Sequence, residues 1–414
     1  MKKTITFMLM SIFMIFSFGL FVGCQGAETD KGVEIESGTE GLHYQRISGK
    51  EEYQVVGIGT AAELDIVIPS KYNGFPVTKI ADFAFKGEKN IESVKIFGNI
   101  ESVGDWAFAN CNSLEKVSFL GETKIIGDRC FSECRSLREV NLPDGLEKLE
   151  STVFVDCVSL GEVHIPSSVT EIGSQLFHGC YNLSNITIPS GIDMIPHGIF
   201  YECKNLKNII IPENIKTIED WAFAYCENIE TINIPQGVSL IEGGCVFHGC
   251  KKLETINVSE NNLNYKSEQG ILYDKNMGVL IDYPINKKDK IYTMPNSIQI
   301  IREKALSGNK YLEEIYLSEN LIRIEGGAFN GVENITELKI PANVSIIGPA
   351  AFLRCTNLKA LFFENPEGWG EYDSEESTLC IGGGDLSSPS SAARCLVEYE
   401  EYIYGNGPGW WKRK

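Results

Sequence analysis

Hydrophobic positions recur along this chain in one fixed phase. Residues 169–189 show the unit: Val169, Ile172, Phe177, Cys180, Leu183, Ile186 and Ile188 are apolar, polar residues fill most gaps, and Pro189 closes the run. Ile186 and Ile188 alternate with polar neighbours, the period of a strand with one buried face. Pro189 has no N–H to continue a ladder, so it ends that strand. The same stop stands at Pro143, Pro166, Pro212, Pro235 and Pro341. Val169 and Ile172 open a second, looser inward run, and Phe177 fills the wide part of the core. The aromatic anchor returns at Phe85, Phe108, Phe131, Phe154, Phe177, Phe200, Phe223, Phe247, Phe329 and Phe352, with Leu306 standing in once. The steps are 23 residues, then 24 before Phe247, 59 before Leu306 and 23 again. A period in this range predicts a solenoid of stacked coils, each burying its neighbour's apolar edge. About thirteen coils would span roughly 60 Å along the stack.

Cysteine follows the same phase. Cys111, Cys134, Cys157, Cys180, Cys203, Cys226, Cys250 and Cys355 each lie three residues after an anchor. Zinc sites want paired short spacings, which this ladder lacks. Bridges between neighbouring coils are not geometrically absurd, but free cysteine packs well as a small buried hydrophobe. Buried free thiols are therefore expected, and no metal or cofactor.

The repeat resembles the BspA-type leucine-rich repeats of bacterial surface proteins. Residues 80–85, 103–108 and 346–352 match that family's pattern closely, and the likeness runs over 41–363. It implies a right-handed leucine-rich-repeat stack of 23-residue coils, mainly β with short irregular or 3-10 segments and a cap at each end. It also implies adhesion or binding to host or neighbouring-cell macromolecules, and carries no catalytic residues. The alternative is a structural cell-envelope scaffold without a soluble ligand.

Read in order, residues 1–23 form an export signal. Lys2 and Lys3 precede an apolar run from 5 to 22 that ends at Gly23 and Cys24. Phe21-Val22-Gly23-Cys24 resembles a lipobox, with Cys24 as the lipidated residue anchoring the chain to a membrane; a retained transmembrane anchor is the other reading. Residues 24–41 are the lipidated cysteine and an acidic tether too poor in apolar residues to fold. Residues 42–77 read as an N-terminal cap with a hairpin-like start, and 78–363 as the solenoid. An insertion at 259–300 carries two strands around a Gly-containing turn, 270–273 and 279–283. Family members carry a similar insertion, matched by Gly270, Leu272, Tyr273, Tyr283 and Pro284. Residues 364–414 form an aromatic C-terminal cap with a short helix over 390–401. Cys380 and Cys395 lie outside the ladder, and whether they pair is left open.

Net charge is −19 over 414 residues. That acidity opposes nucleic-acid binding, which needs a basic surface. No P-loop, nucleophile elbow or zinc-protease motif occurs, and His178 and His248 share one repeat position as surface filler. The expected binding surface is the concave face of the stacked strands, where Asn141, His164, Thr187, Asn208, Asn233 and Asn257 line up for an extracellular protein or glycan. Lys287 and Lys288 on the insertion are candidate contacts.

Overall fold

The computed structural model describes residues 38–367, 369–372, 379–382, 388–398 and 410–413. The export signal, Cys24 and most of the tether lie outside them, as do the side chains of Cys380 and Cys395. Among the described residues no helix is long and apolar enough to cross a membrane.

The chain winds into a β-solenoid of about 14 turns. Each regular coil contributes one strand to each of two parallel faces. The first face is built from the alternating strand segments, several of which lead into a proline: Asp65–Ile68, Ser93–Ile96, Lys116–Phe119, Glu139–Asn141, and onward to Ala360–Phe363. The second face holds the looser inward run, from Phe75–Ile80 and Ile100–Val103 to Ile346–Ile347. Pairing is parallel with a shift of one repeat, as in Val94 with Val117 and Val117 with Val140. Identical positions therefore lie directly above one another.

Between them the anchors form a column. From Phe85 to Phe247, consecutive rings lie 4.9–6.0 Å apart and within 21° of parallel. Each cysteine of the ladder is buried and free. Its thiol donates to the carbonyl of the preceding coil's anchor: Cys111 to Phe85 at 3.0 Å, Cys157 to Phe131 at 3.1 Å, Cys355 to Phe329 at 3.1 Å. Burial pushes the thiols of Cys134, Cys157, Cys180, Cys203, Cys226 and Cys250 well above their ordinary range, which makes them poor nucleophiles.

The irregular segments between the two faces are hydrogen-bonded turns. In most turns two slots, flanking the anchor by two residues on either side, take left-handed backbone. Gly198 and Gly179 fill such slots, but so do Trp106, Arg129, Trp221 and Tyr225. Backbone N–H groups of one turn donate to carbonyls of the next, as Phe85 does to Ala107 at 2.7 Å.

Irregular elements lie at both ends of the stack. His43–Arg46 and Tyr53–Gly57 pair antiparallel, and the second strand starts the second face by pairing with Phe75–Ile80. At the other end the helix Pro389–Glu398 buries Ala392, Ala393 and Leu396 in the core. Trp369 is also buried there, edge-on to Phe363 at 5.4 Å, so it caps the stack.

The insertion departs from its sequence reading. Three strands, Tyr265–Glu268, Ile271–Asp274 and Val279–Asp282, form an antiparallel meander, where the sequence suggested two. The third joins the second face by pairing with Ile300–Ile301. Tyr283 then donates its N–H to Ala305 at 2.7 Å, the bond an anchor makes. It stands 23 residues before Leu306 and is an anchor itself. The 59-residue step thus contains one irregular coil, which brings the expected thirteen turns to about fourteen.

The meander is also a wall. Its pleat sends alternate side chains to opposite sides. Leu272 and Ile281 join the core that reaches back to Leu42, whereas Ile271, Tyr273 and Leu280 join the core that runs on to Leu396. The first stack's last second-face strand, Leu240–Ile241, meets no further strand. Its Ile241 N–H donates instead to the Tyr265 hydroxyl at 2.7 Å, and its carbonyl accepts from the Arg302 guanidinium at 3.0 Å.

Candidate functional site

Residues between the inward positions of a strand face outward, and on the first face the sequence candidates are exposed. Asn141, His164, Thr187, Asn233 and Asn257 are exposed and share one row, which Ile210 completes between Thr187 and Asn233; Asn208 is exposed too but stands in the neighbouring row, in register with Asn185. Ser118, in the same row, is buried.

The first face is not one continuous ladder. Hydrogen bonding breaks between Glu139–Asn141 and Glu162–His164, and Asn208 keeps only a single bridge to Asn185. Where the ladder opens, inward residues become slightly accessible: Val140, Val163, Ile186 and Ile209 are 5–8% exposed, against 0% for Val94 and Val117. Two shallow depressions of about 460 Å³ each lie over this stretch. Asn141, His164 and Thr187 line one; Asn208, Ile210 and Asn233 line the other. Asn257 extends the row by donating to Asn233 at 2.9 Å.

The polar groups here are already ordered. Lys116 and Glu139 pair at 2.9 Å, and Asn141 donates to Glu139 at 3.0 Å. The Lys116 hydrogen bond, with Asn141 second, holds the Glu139 carboxyl below its usual range. Asn185 donates to Glu162 at 3.1 Å. Ile210 interrupts this polar row and is 82% exposed. A surface of ordered amides and carboxylates around one bare aliphatic side chain is suited to holding a ligand by contact.

Lys287 and Lys288 sit apart from that face and are engaged. Lys287 is half-buried and pairs with Asp289 at 3.1 Å; Lys288 pairs with Glu254. Among the described residues no three His, Cys, Asp or Glu side chains are grouped to hold a metal ion.

A second surface escaped the sequence reading. On the turn edge, His178 and His248 are not isolated filler but members of an aromatic cluster with Tyr201, Trp221 and Tyr225. The signal was present in the repeat phase: these residues occupy the positions one and two away from the anchors.

The profile of the BspA-type leucine-rich-repeat region matches in six copies, over residues 65–184, 170–270 and 286–372. The chain belongs to the BspA-type leucine-rich-repeat family. Solved structures share the fold of this BspA-type chain. A leucine-rich cell surface protein from Faecalibacterium prausnitzii A2-165 is 24% identical, with 79% of this chain and 94% of that one covered and a TM-score of 0.58. A leucine-rich repeat protein from Bacteroides ovatus ATCC 8483 is 26% identical, with 78% and 93% covered and a TM-score of 0.53. No curated protein matches at a significant level.

Proposed function

We propose that this chain is an exported surface protein, held to a membrane by lipid on Cys24, that binds an extracellular protein or glycan and does no chemistry. The observation that carries this reading is the exposed row on the first face. Asn141, His164, Thr187, Asn208 and Asn233 present polar side chains over two depressions, Asn257 continues them by its bond to Asn233, and Ile210 stands bare among them. Family membership supports it, as does the likeness to a protein described as a cell surface protein. Repeated coils give many small contacts in a line, which is how solenoids usually hold macromolecules.

The test is a binding screen of the full chain against matrix proteins, mucin and immobilised glycans. A saturable ligand is expected, with affinity reduced about tenfold by Ile210→Ser. Silence across the panel, or binding that ignores Ile210→Ser and Asn208→Ala together, refutes the role of this face. Radiolabelled palmitate should enter the wild-type chain and not Cys24→Ser; label in neither removes the lipid anchor.

A further inference from the structure

The turn edge carries a second feature that the first face does not explain. Tyr201, Trp221, His248 and Tyr225 form a closed cycle of ring contacts, with centroids 5.7, 6.3, 5.3 and 5.4 Å apart in turn. All four are only partly buried, and none belongs to the phenylalanine column that fills the core. His178 adds a ring at 4.7 Å from Tyr201, and Tyr181 is exposed beside them, its hydroxyl on Glu202 at 3.3 Å.

Two of these rings are held in costly backbone. Trp221 and Tyr225 have φ of 60° and 58°, in slots that other coils fill with Gly198, Gly179 and Gly249. A left-handed conformation costs a side-chain-bearing residue stability relative to glycine, and bulky residues adopt it rarely. Along the same edge, five coils earlier and roughly 25 Å away, Trp106 fills the Trp221 slot at φ 58°. Its ring stacks on exposed Phe83 at 6.4 Å and lies under Lys86 at 4.1 Å.

We propose that this turn edge is a binding site for an uncharged polysaccharide laid along the stack, with the Tyr201–Trp221–Tyr225–His248 cluster as its main platform. Sugar rings offer C–H faces to aromatic rings and hydroxyls to tyrosine and carboxylate oxygens, and both kinds of group stand side by side here. The coil repeat, close to 4.8 Å, is comparable with the length of one sugar ring, so successive sugars meet successive coils. Charge selects against a polyanion. The chain carries −19, and Lys204 beside the cluster is already paired with Glu202 at 4.0 Å.

The experiment is affinity electrophoresis of the full chain through native gels containing hydroxyethylcellulose, xyloglucan, laminarin, mannan or heparin. Retardation by at least one of the neutral polymers is expected. Trp221→Gly should weaken it about tenfold, because it removes the ring while glycine suits the slot. Ile210→Ser on the first face should leave it unchanged. Tyr201→Ser serves as a second ring variant, and melting temperature confirms that both fold. No retardation by any neutral polymer, retardation by heparin alone, or retardation that survives both ring substitutions overturns the proposal. Retardation lost in Ile210→Ser alone assigns the ligand to the first face instead, leaving the proposed function standing and this site refuted.

Discussion

The stacks on either side of the meander solve one packing problem in two ways. Before it, eight phenylalanines form an unbroken column and seven cysteines follow them at a fixed offset. After it, the anchors are Tyr283, Leu306, Phe329 and Phe352, and the offset positions hold Asn286, Asn309, Val332 and Cys355. Around Tyr283, two further tyrosines are buried in the second stack's core. Tyr283 and Tyr292 are 4.9 Å apart, and the Tyr273 and Tyr292 hydroxyls share a hydrogen bond of 3.0 Å. Asn309 is fully buried in the cysteine slot because each of its groups is used: it donates to Pro284 and Lys287 and accepts from Tyr311 and Leu312. The difference shows that the coil requires a filled volume and satisfied turn groups, while the residue types are negotiable.

The strongest test is of the anchors. Phe154→Ala in the first stack and Tyr283→Ala at the wall should each cost about 3–5 kcal/mol, the range for deleting a buried ring, measured by urea denaturation. If Tyr283→Ala costs under about 1 kcal/mol, it is not an anchor and the two stacks are not built on one column. A solenoid's stability is the sum of neighbour contacts, so Tyr283→Ala should also separate the unfolding of the two stacks into two steps. Phe154→Ala should not place a break at the wall.

This comparison also marks what the sequence could reveal. Phe85 to Phe247 were legible because one residue type recurs at one spacing, and a periodic signal survives any single substitution. Tyr283 was not, because its coil opens with a meander instead of the usual strand, and 36 residues separate it from Phe247. The outward row from Asn141 to Asn257 followed from strand alternation alone. The aromatic edge did not, because its rings come from three turn positions, and no single column in the repeat is aromatic throughout. The break in the first-face ladder beside Glu162–His164 has no sequence signal that we can name.

Two titrations sharpen the contrast, since they have opposite sign in the two regions. Burial without a nearby cation pushes the Asp282 carboxyl of the wall up to about 8. Between pH 4 and 8 the native chain keeps a proton that the unfolded chain has released, so this group's contribution to stability falls as pH rises through that window. The slope is at most about 1.4 kcal/mol per pH unit, and Asp282→Asn should remove it. In the first stack, burial and then Lys304 hold the His248 imidazole down to about 4. Between pH 6.5 and 4 the unfolded chain takes up a proton that the native one refuses, so stability falls as pH drops through that window. His248→Gln should flatten that limb alone. Denaturation midpoints from pH 4 to 8 check both, and a shared response to either substitution would mean that one stack carries both effects.

A smaller effect is expected where the first stack ends. Tyr265→Phe leaves the Ile241 N–H without its hydroxyl acceptor, which should cost about 1–2 kcal/mol. Hydrogen exchange at Ile241 should accelerate while exchange at Ile324 in the second stack stays unchanged. Equal acceleration at both would show that the wall transmits the loss.

The smallest effect decides what the cysteine ladder is for. Val332 occupies the cysteine slot above Leu306, so Val332→Cys places a thiol where its neighbours in the first stack donate to an anchor carbonyl. The exchange gives up part of a buried aliphatic side chain, about 0.8 kcal/mol per methylene, and gains one weak hydrogen bond. The acceptor is not waiting for it, because the Leu306 carbonyl already receives the Asn309 N–H at 3.3 Å. The same holds in the first stack, where Cys134 N–H already bonds the Phe131 carbonyl that the Cys157 thiol also reaches. A doubly served carbonyl gains little from its second donor, so Val332→Cys should shift stability by less than about 1 kcal/mol. Cys157→Val should be similarly mild, its lost bond offset by added apolar contact. A cost above about 2 kcal/mol for Cys157→Val, with none for Val332→Cys, would instead make the thiol bond the reason for the ladder. The two stacks would then differ in how their coils are tied together, and not only in how they are filled.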